Sequence, residues 1–283
     1  MGVELLRPAS LQEAVDSLST LGERARPLAG GTALVLLLGQ GLLSLDCLVD
    51  LRHIPGLDKI EHEPGTGLAL GALVSHRALE RSPLVRAQLP FLAEVFHHVA
   101  NVRVRNQATV GGVLAEADYA SDPPAALIAL NARVRVIGPN GERELSVAEL
   151  LRGWYETSLA GGEIIRDVVV PDPPPDTKFA YRRFVSRSTQ DRPCASITIA
   201  LRSSGDRCAE LRVVVGAVAA TPQEFPDLEQ LAHGEQLSEA LARKIAQAYA
   251  IRIEPLSDAR GSAWYRRQVV EVMLRRTLLE VAA

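Results

Sequence analysis

The sequence predicts an α+β fold built in two parts. Three observations predict it. Helical and strand-like runs are mixed over about residues 1–175. The proline-dense stretch PDPPPD (171–176) interrupts the pattern and marks the best boundary. Beyond it, three strand-like runs follow one another before two helices close the chain, the arrangement of an antiparallel meander covered by helices.

The elements follow in order. Ser10 with Glu13 three residues later is a capping-box pattern, and Leu11, Ala14, Val15 and Leu18 fall at helical spacing, so a first helix covers about 10–21. RPLAGGT is a short strand entering a glycine turn. A leucine-rich, buried helix is expected over about 32–39, and CLVDL reads as a strand bounded by Pro55-Gly56. LALGALV (68–74) is a strand, VSHRALERS starts a helix, and PFLAEVFHHVAN (90–101) is a helix with Pro90 in its first turn. ARVRVI alternates as a strand, turns at Gly138-Pro139-Asn140-Gly141, and GEIIRDVVVP is a further strand. After the prolines come TKFAYRRFV, ASITIALR and ELRVVVGAV as strands. LSEALARKIAQAYA is an amphipathic helix, and SAWYRRQVVEVMLRRTLLEVA is a longer, Arg-rich one. The expected division is therefore 1–175, with subdomains of about 1–55 and 56–175, and 176–283.

Composition narrows the function. The chain has 283 residues, 47% hydrophobic and 23% charged, enough for one or two globular domains with a substantial core. Its 31 Lys and Arg against 34 Asp and Glu leave a net charge of −3, so nucleic acid is not an expected partner. Cys47, Cys194 and Cys208 are odd in number and have no CxxC spacing, which argues against a disulfide framework, structural zinc or an iron–sulfur cluster in this chain. No signal peptide is apparent, and a reducing compartment fits. The most apolar segment, 33–51, is broken by Gly39-Gln40-Gly41 and Asp46, so no transmembrane segment is expected. His97 and His98 are adjacent, point to different helix faces and read as ordinary helix residues rather than a metal pair.

Two glycine turns stand out. LAGGT (28–32) and ATVGGV (108–113) each set Gly-Gly beside a threonine. Glycine admits a close approach to backbone N–H groups, and successive N–H groups make a concave site for an anion. Two such loops about 80 residues apart could hold one diphosphate between them, although either alone is also an ordinary tight turn. No Walker A motif is present, and GTGLALG misplaces the third glycine of a dinucleotide fingerprint. Asp122, in Ser121-Asp122-Pro123-Pro124, reads either as the cap of a helix or as a carboxylate accepting from a ligand hydroxyl.

LAGGT, VDLRHIPGL, RNQATVGGVLAEADYASDPPAAL, GEIIRDVVVP and YRRFVSRSTQDRP stand in the order found in a known family, and RVVVGAVAATP and GSAWYRRQVVEVMLRR match its C-terminal part. On these runs the chain resembles the FAD-binding medium subunit of molybdenum hydroxylases, the group of aerobic carbon monoxide dehydrogenase and xanthine dehydrogenase. The resemblance implies a vanillyl-alcohol-oxidase-type (PCMH-like) FAD-binding domain of two α+β subdomains, plus a C-terminal domain with a three-stranded antiparallel sheet and helices. It implies that Ala29, Gly30, Gly31, Thr32, Ala33 and Leu34 form a first pyrophosphate loop, and Thr109, Gly111, Gly112 and Val113 a second. Ala117, Ser121 and Asp122 would reach the ribityl or AMP part, and Ile165 would pack against the isoalloxazine. Tyr181 would neighbour the ring, and Arg183 stands where the family usually has lysine. Val113 replaces the family's usual asparagine, and Ala33 a polar or acidic residue, so backbone N–H groups are expected to carry more of the pyrophosphate contact. A side chain at Gly111 is expected to block the approach of the cofactor.

The function so implied is an electron-transfer flavoprotein subunit of an oxidoreductase complex. Substrate is hydroxylated at molybdopterin on a large subunit, and electrons cross two [2Fe–2S] clusters on a small subunit to FAD, then to NAD, a quinone or oxygen. A dimer of heterotrimers is implied, either cytoplasmic or peripheral at the inner face of the membrane. No acid–base pair or nucleophile is evident, as fits chemistry carried by a flavin. Two other readings use the same residues: a stand-alone flavin reductase resembling cell-wall enolpyruvyl reductases, and a scaffold subunit that has lost FAD.

Overall fold

The computed structural model describes residues 2–283. Its first sheet is parallel. Strand β1 (Glu4–Leu6) leads to helix α1 (Leu11–Leu21), strand β2 (Ala25–Leu28), helix α2 (Leu34–Gly39) and strand β3 (Cys47–Asp50), in the sheet order β1-β3-β2. Ser10 caps α1 by accepting from the Glu13 N–H at 3.2 Å, as the sequence pattern predicts. The return arm lands one residue early, with the Glu13 carboxylate accepting from the N–H of Ala9. Ala14, Val15 and Leu18 of α1 pack on Ala25, Val49 and Leu51 of the sheet side.

Helix α2 corrects an expectation. No residue in it is buried, and Val35 and Leu36 are 54% and 57% exposed. It spans fewer than two turns between two glycine-containing loops, which is too short to reach a core shared by other elements. Leucine content reports hydrophobicity, not burial.

The second sheet is antiparallel, in the order β4-β5-β10-β6-β7. Strands β4 (Ile60–Glu63) and β5 (Gly67–Gly71) precede six helices: α3 (His76–Arg81), α4 (Pro83–Gln88), α5 (Pro90–His97), α6 (Val102–Gln107), α7 (Val110–Glu116) and α8 (Asp122–Ala129). Strands β6 (Arg133–Gly138) and β7 (Gly141–Ser146) form a hairpin at the predicted Gly-Pro-Asn-Gly turn. A short helix α9 (Val147–Leu150) and a two-stranded ribbon, β8 (Leu151–Gly153) with β9 (Glu156–Thr157), lead into β10 (Ile164–Val170). Leu68, Leu70, Leu92, Phe96, Leu114, Leu127, Val134 and Val168 form the core between helices and sheet.

The third sheet is the predicted meander: β11 (Thr177–Phe184), β12 (Ala195–Ser204) and β13 (Arg207–Gly216), with Tyr181 opposite Thr198 and Ile197 opposite Val215. Strand alternation divides its two faces. Phe179, Tyr181 and Val214 face the core that contains α8. Ala180, Ile197, Ile199, Val213 and Val215 face the second core. There α10 (Pro226–Glu229), α11 (Glu239–Arg252) and α12 (Ala263–Ala282) close the chain, and Ile245, Tyr249, Val270 and Leu274 fill the space. No described helix is long and apolar enough to cross a membrane.

Candidate cofactor site

The two glycine turns meet. A Cβ on Gly30 would lie 1.8 Å from the Gln107 carbonyl oxygen and 3.2 Å from the Ala108 Cα, so the first loop touches the chain just ahead of Thr109. Only glycine permits that approach. The loops differ in what they offer. Among the described residues, no acceptor takes the N–H groups of Gly30, Gly31, Thr32 or Ala33. Gly31 has φ +72, which turns this run of donors into α2. Ala29 and Leu34 flank it, both half-buried.

The second loop offers fewer: only the Thr109 N–H has no acceptor among the described residues. Thr109 caps α7, its hydroxyl accepting from the Gly112 N–H at 3.0 Å. The N–H groups of Val110, Gly111 and Val113 donate to the carbonyls of Val74, Ala72 and Thr109. Gly111 is pressed against β5's exit, where an added Cβ would lie 2.6 Å from the Ala72 Cβ. A side chain there would therefore strike Ala72 rather than an open approach path, which corrects the expectation for Gly111. Val113 packs at the edge of the main core. Unbonded backbone donors are thus concentrated in the first loop, with four against the single Thr109 N–H of the second.

A second group forms around Asp122. Ser121 is the N-cap of α8 and Asp122 its first residue, so Asp122 is not the cap, and no backbone N–H donates to its carboxylate. It is 4% exposed. Arg183 approaches with Nη1 3.5 Å from Oδ2, and donates to the carbonyls of His98 and Asp191. Asp122 Oδ1, the Tyr181 hydroxyl and Arg183 Nε are all buried with no hydrogen-bond partner among the described residues. Burial pushes the Asp122 carboxyl up to about 6, against the opposing pull of Arg183 and the nearby Tyr181 hydroxyl, which makes no hydrogen bond of ordinary geometry to it. Burial, with the Asp122 charge beside it, raises the Tyr181 phenol well above its usual range.

Three orphaned polar atoms in one buried cluster are costly, about 1–3 kcal/mol each, unless a ligand completes them. A free anion-binding loop and a buried carboxylate–phenol–guanidinium cluster together fit a dinucleotide with a diphosphate and a hydroxylated chain. Ala117 adopts a left-handed conformation (φ +48) that ends α7 and directs the chain towards Ser121 and Asp122. Ile165 pairs with Val136 in β10 and is 4% exposed, within the core. The next residue, Arg166, accepts from the Ala72 N–H through its carbonyl, which places Ile165 near the second loop.

Sequence reading passed over several neighbours. Asp118 is buried and pairs with Arg192 at 2.6 Å. Tyr119 bonds Asp258 and Arg260, about 140 residues away in sequence. His76 is buried with Nε2 3.2 Å from the Thr109 carbonyl, and burial brings its imidazole down to about 4. Acidic and aromatic residues in ADYASD were visible, but their partners lie too far away along the chain for spacing to link them.

Comparison with known proteins identifies the family. Residues 1–173 match the family model described as the FAD binding domain in molybdopterin dehydrogenase, and residues 179–281 match the CO dehydrogenase flavoprotein C-terminal domain. The nicotine 6-hydroxylase medium subunit of Paenarthrobacter nicotinovorans is 36% identical over 98% of this chain and 96% of its own. The carbon monoxide dehydrogenase medium chain of Afipia carboxidovorans is 35% identical over 96% of this chain and 94% of its own. Among solved structures, reconstituted CO dehydrogenase from Oligotropha carboxidovorans superposes with a TM-score of 0.95 at 32% identity, covering 100% of this chain and 98% of that one. Quinoline 2-oxidoreductase from Pseudomonas putida 86 gives 0.94 at 31% identity, covering 100% and 97%. The chain belongs to the FAD-binding medium-subunit family of the molybdenum hydroxylases.

Proposed function

We propose that this chain holds FAD between the Gly30–Ala33 loop and the Asp122–Tyr181–Arg183 cluster, as the electron-transfer subunit of a molybdenum-containing hydroxylase or dehydrogenase. The observation that carries the placement is the pairing of four unbonded N–H groups on one loop with three unpartnered buried atoms in one cluster. When bound, FAD supplies the redox chemistry, linking [2Fe–2S] clusters on a small partner subunit to NAD, a quinone or oxygen.

This chain's residues supply position and charge. The first loop's donors, with Ala29 and Leu34 at its ends, favour the diphosphate. Thr109 adds one unbonded N–H, while Gly111, Gly112 and Val113 shape the second loop by packing. Asp122 accepts from hydroxyls of the ribityl or AMP part, with Ala117 and Ser121 beside it, while Ile165 and Tyr181 flank the ring. Arg183 holds a fixed positive charge near the flavin, with a flatter and more directional donor set than lysine. Substrate chemistry belongs to a molybdopterin-bearing large subunit.

We further propose the division at 175/176, with subdomains meeting near residue 55. The assembly is a dimer of heterotrimers, cytoplasmic or peripheral at the inner face of the membrane. One observation favours the scaffold reading instead: Val113 and the bonded N–H groups of residues 110–113 leave the second loop with the Thr109 N–H as its one unbonded donor. The absorption spectrum of the purified protein decides between them. Flavin absorption bands, with molybdopterin and iron–sulfur chains co-purifying, are expected. A colourless protein that cannot be reconstituted with FAD overturns this reading, and a yellow protein purifying alone supports the stand-alone reductase.

A further inference from the structure

The five residues Asp118–Asp122 lie in the N-terminal part of the chain, yet their long-range charged partners come from the C-terminal part. Arg192, in the loop between β11 and β12, places Nε 2.6 Å from Asp118 Oδ2. The Tyr119 hydroxyl donates to Asp258 Oδ2 at 2.8 Å and accepts from Arg260 Nη1 at 2.7 Å. Arg260 also lies over the Tyr119 ring, 5.6 Å from its centroid. Arg183 of β11 approaches Asp122 at 3.5 Å.

These arms share an anchor. Arg266 of α12 is 0% exposed. Its Nη2 lies 2.5 Å from Asp258 Oδ1, its Nη1 donates to the Ala217 carbonyl at 2.7 Å, and the same Nη1 donates to the carbonyl of Cys194, two residues beyond Arg192. One buried guanidinium therefore fixes both the acceptor of Tyr119 and the loop that carries Arg192. The segment has few holds nearer in sequence. The Ser121 N–H donates to the Asp118 carbonyl at 2.9 Å, the Ala120 N–H to Asp118 Oδ1 at 3.1 Å, and the Tyr155 hydroxyl reaches Oδ1 at 3.4 Å. Trp154 meets the Tyr119 ring edge-to-face at 4.8 Å but is itself half exposed.

We propose that the C-terminal part clamps this segment, with Asp118 and Tyr119 as positioning residues that set Asp122 for FAD. The proposal rests on the FAD placement above. Its logic is geometric: Asp122 follows the clamped residues directly, and its free Oδ1 is useful only if the start of α8 is held in place.

The test uses the protein purified with the chains that accompany it, stripped of flavin and titrated with FAD. Tyr119→Phe keeps the ring and its contacts and removes one hydroxyl. Arg192→Ala removes the partner of Asp118, and Arg192→Lys keeps the charge. Tyr119→Phe and Arg192→Ala should each raise the FAD dissociation constant about five- to tenfold, the effect of one hydrogen bond or ion pair, and alter the visible circular dichroism of bound flavin. Arg192→Lys should recover most of the affinity. The melting temperature of the flavin-free protein should move little. Unchanged affinity and flavin dichroism in both variants overturn the clamp, as does a loss of melting temperature alone. A parent protein that binds no FAD overturns the underlying placement instead.

Discussion

Asp122 carries a carboxylate whose free oxygen sits in a buried cluster, and its titration makes that cost measurable. Folded Asp122 keeps its proton to about pH 6, against a usual value of 3.8, because burial outweighs Arg183. Between those values the folded state binds more protons than the unfolded one, so stability falls as pH rises through that window. At full extent the loss is roughly 3 kcal/mol, from about 1.4 kcal/mol per unit. Asp122→Asn, which does not titrate, escapes it. Urea unfolding of flavin-free parent and variant at pH 4 and pH 8 should therefore show the difference moving in the variant's favour by roughly 2–3 kcal/mol as pH rises, while FAD affinity falls. A difference that stays constant across pH would count against the buried charge. Ser121-Asp122-Pro123-Pro124 already announced a helix start in the sequence. The unpartnered Oδ1 and the approach of Arg183 were not legible, because they depend on the third sheet packing against α8.

Among the elements, the long periodic ones were legible and the short ones were not. Helices α1, α11 and α12 and the strands of the third sheet appear where spacing and alternation place them. Strands β1 and β4 and helices α6 and α7 did not announce themselves, since runs of three to seven residues hold too little pattern and form because neighbours pair with them. Helix α7 shows how a short element is held. Its first turn docks on Ala72, the Gly111 N–H bonding the Ala72 carbonyl at 2.9 Å. Gly111→Ala should then destabilise the flavin-free protein by about 1–3 kcal/mol, the usual cost of overpacking a tight contact. The midpoint of urea unfolding without flavin measures it. A variant with parental stability that fails only to take up FAD would return Gly111 to the role of lining the cofactor's path.

For the whole molecule, the proline-dense PDPPPD run separates two sequence patterns but not two cores. Tyr181 and Val214 of the third sheet belong to the same core as Leu92, Phe96 and Leu127. The opposite face of that sheet carries the second core with α11 and α12. One sheet is thus shared, through alternate residues of β11 and β13, by both halves of the chain. Removing the C-terminal part would expose the face of α8, whose residues Asp122–Ala129 are all buried. Arg183, Tyr119 and Arg212 add polar links across the same seam, Arg212 pairing with Glu224 at 2.9 Å and reaching the Asn131 side chain. Interfaces between domains that move freely are typically more polar than a seam built on a shared hydrophobic core. The two halves should therefore unfold together. Calorimetry of the flavin-free chain should show one transition, with an enthalpy of roughly 200 kcal/mol near 60 °C, from ~0.7 kcal/mol per residue over the whole chain. Agreement between that enthalpy and the van't Hoff value would establish a single cooperative unit. Two resolved peaks, each carrying the share of one half, would show that the shared sheet does not couple them, and the clamp on Asp118–Asp122 would then have to act across a seam that opens on its own.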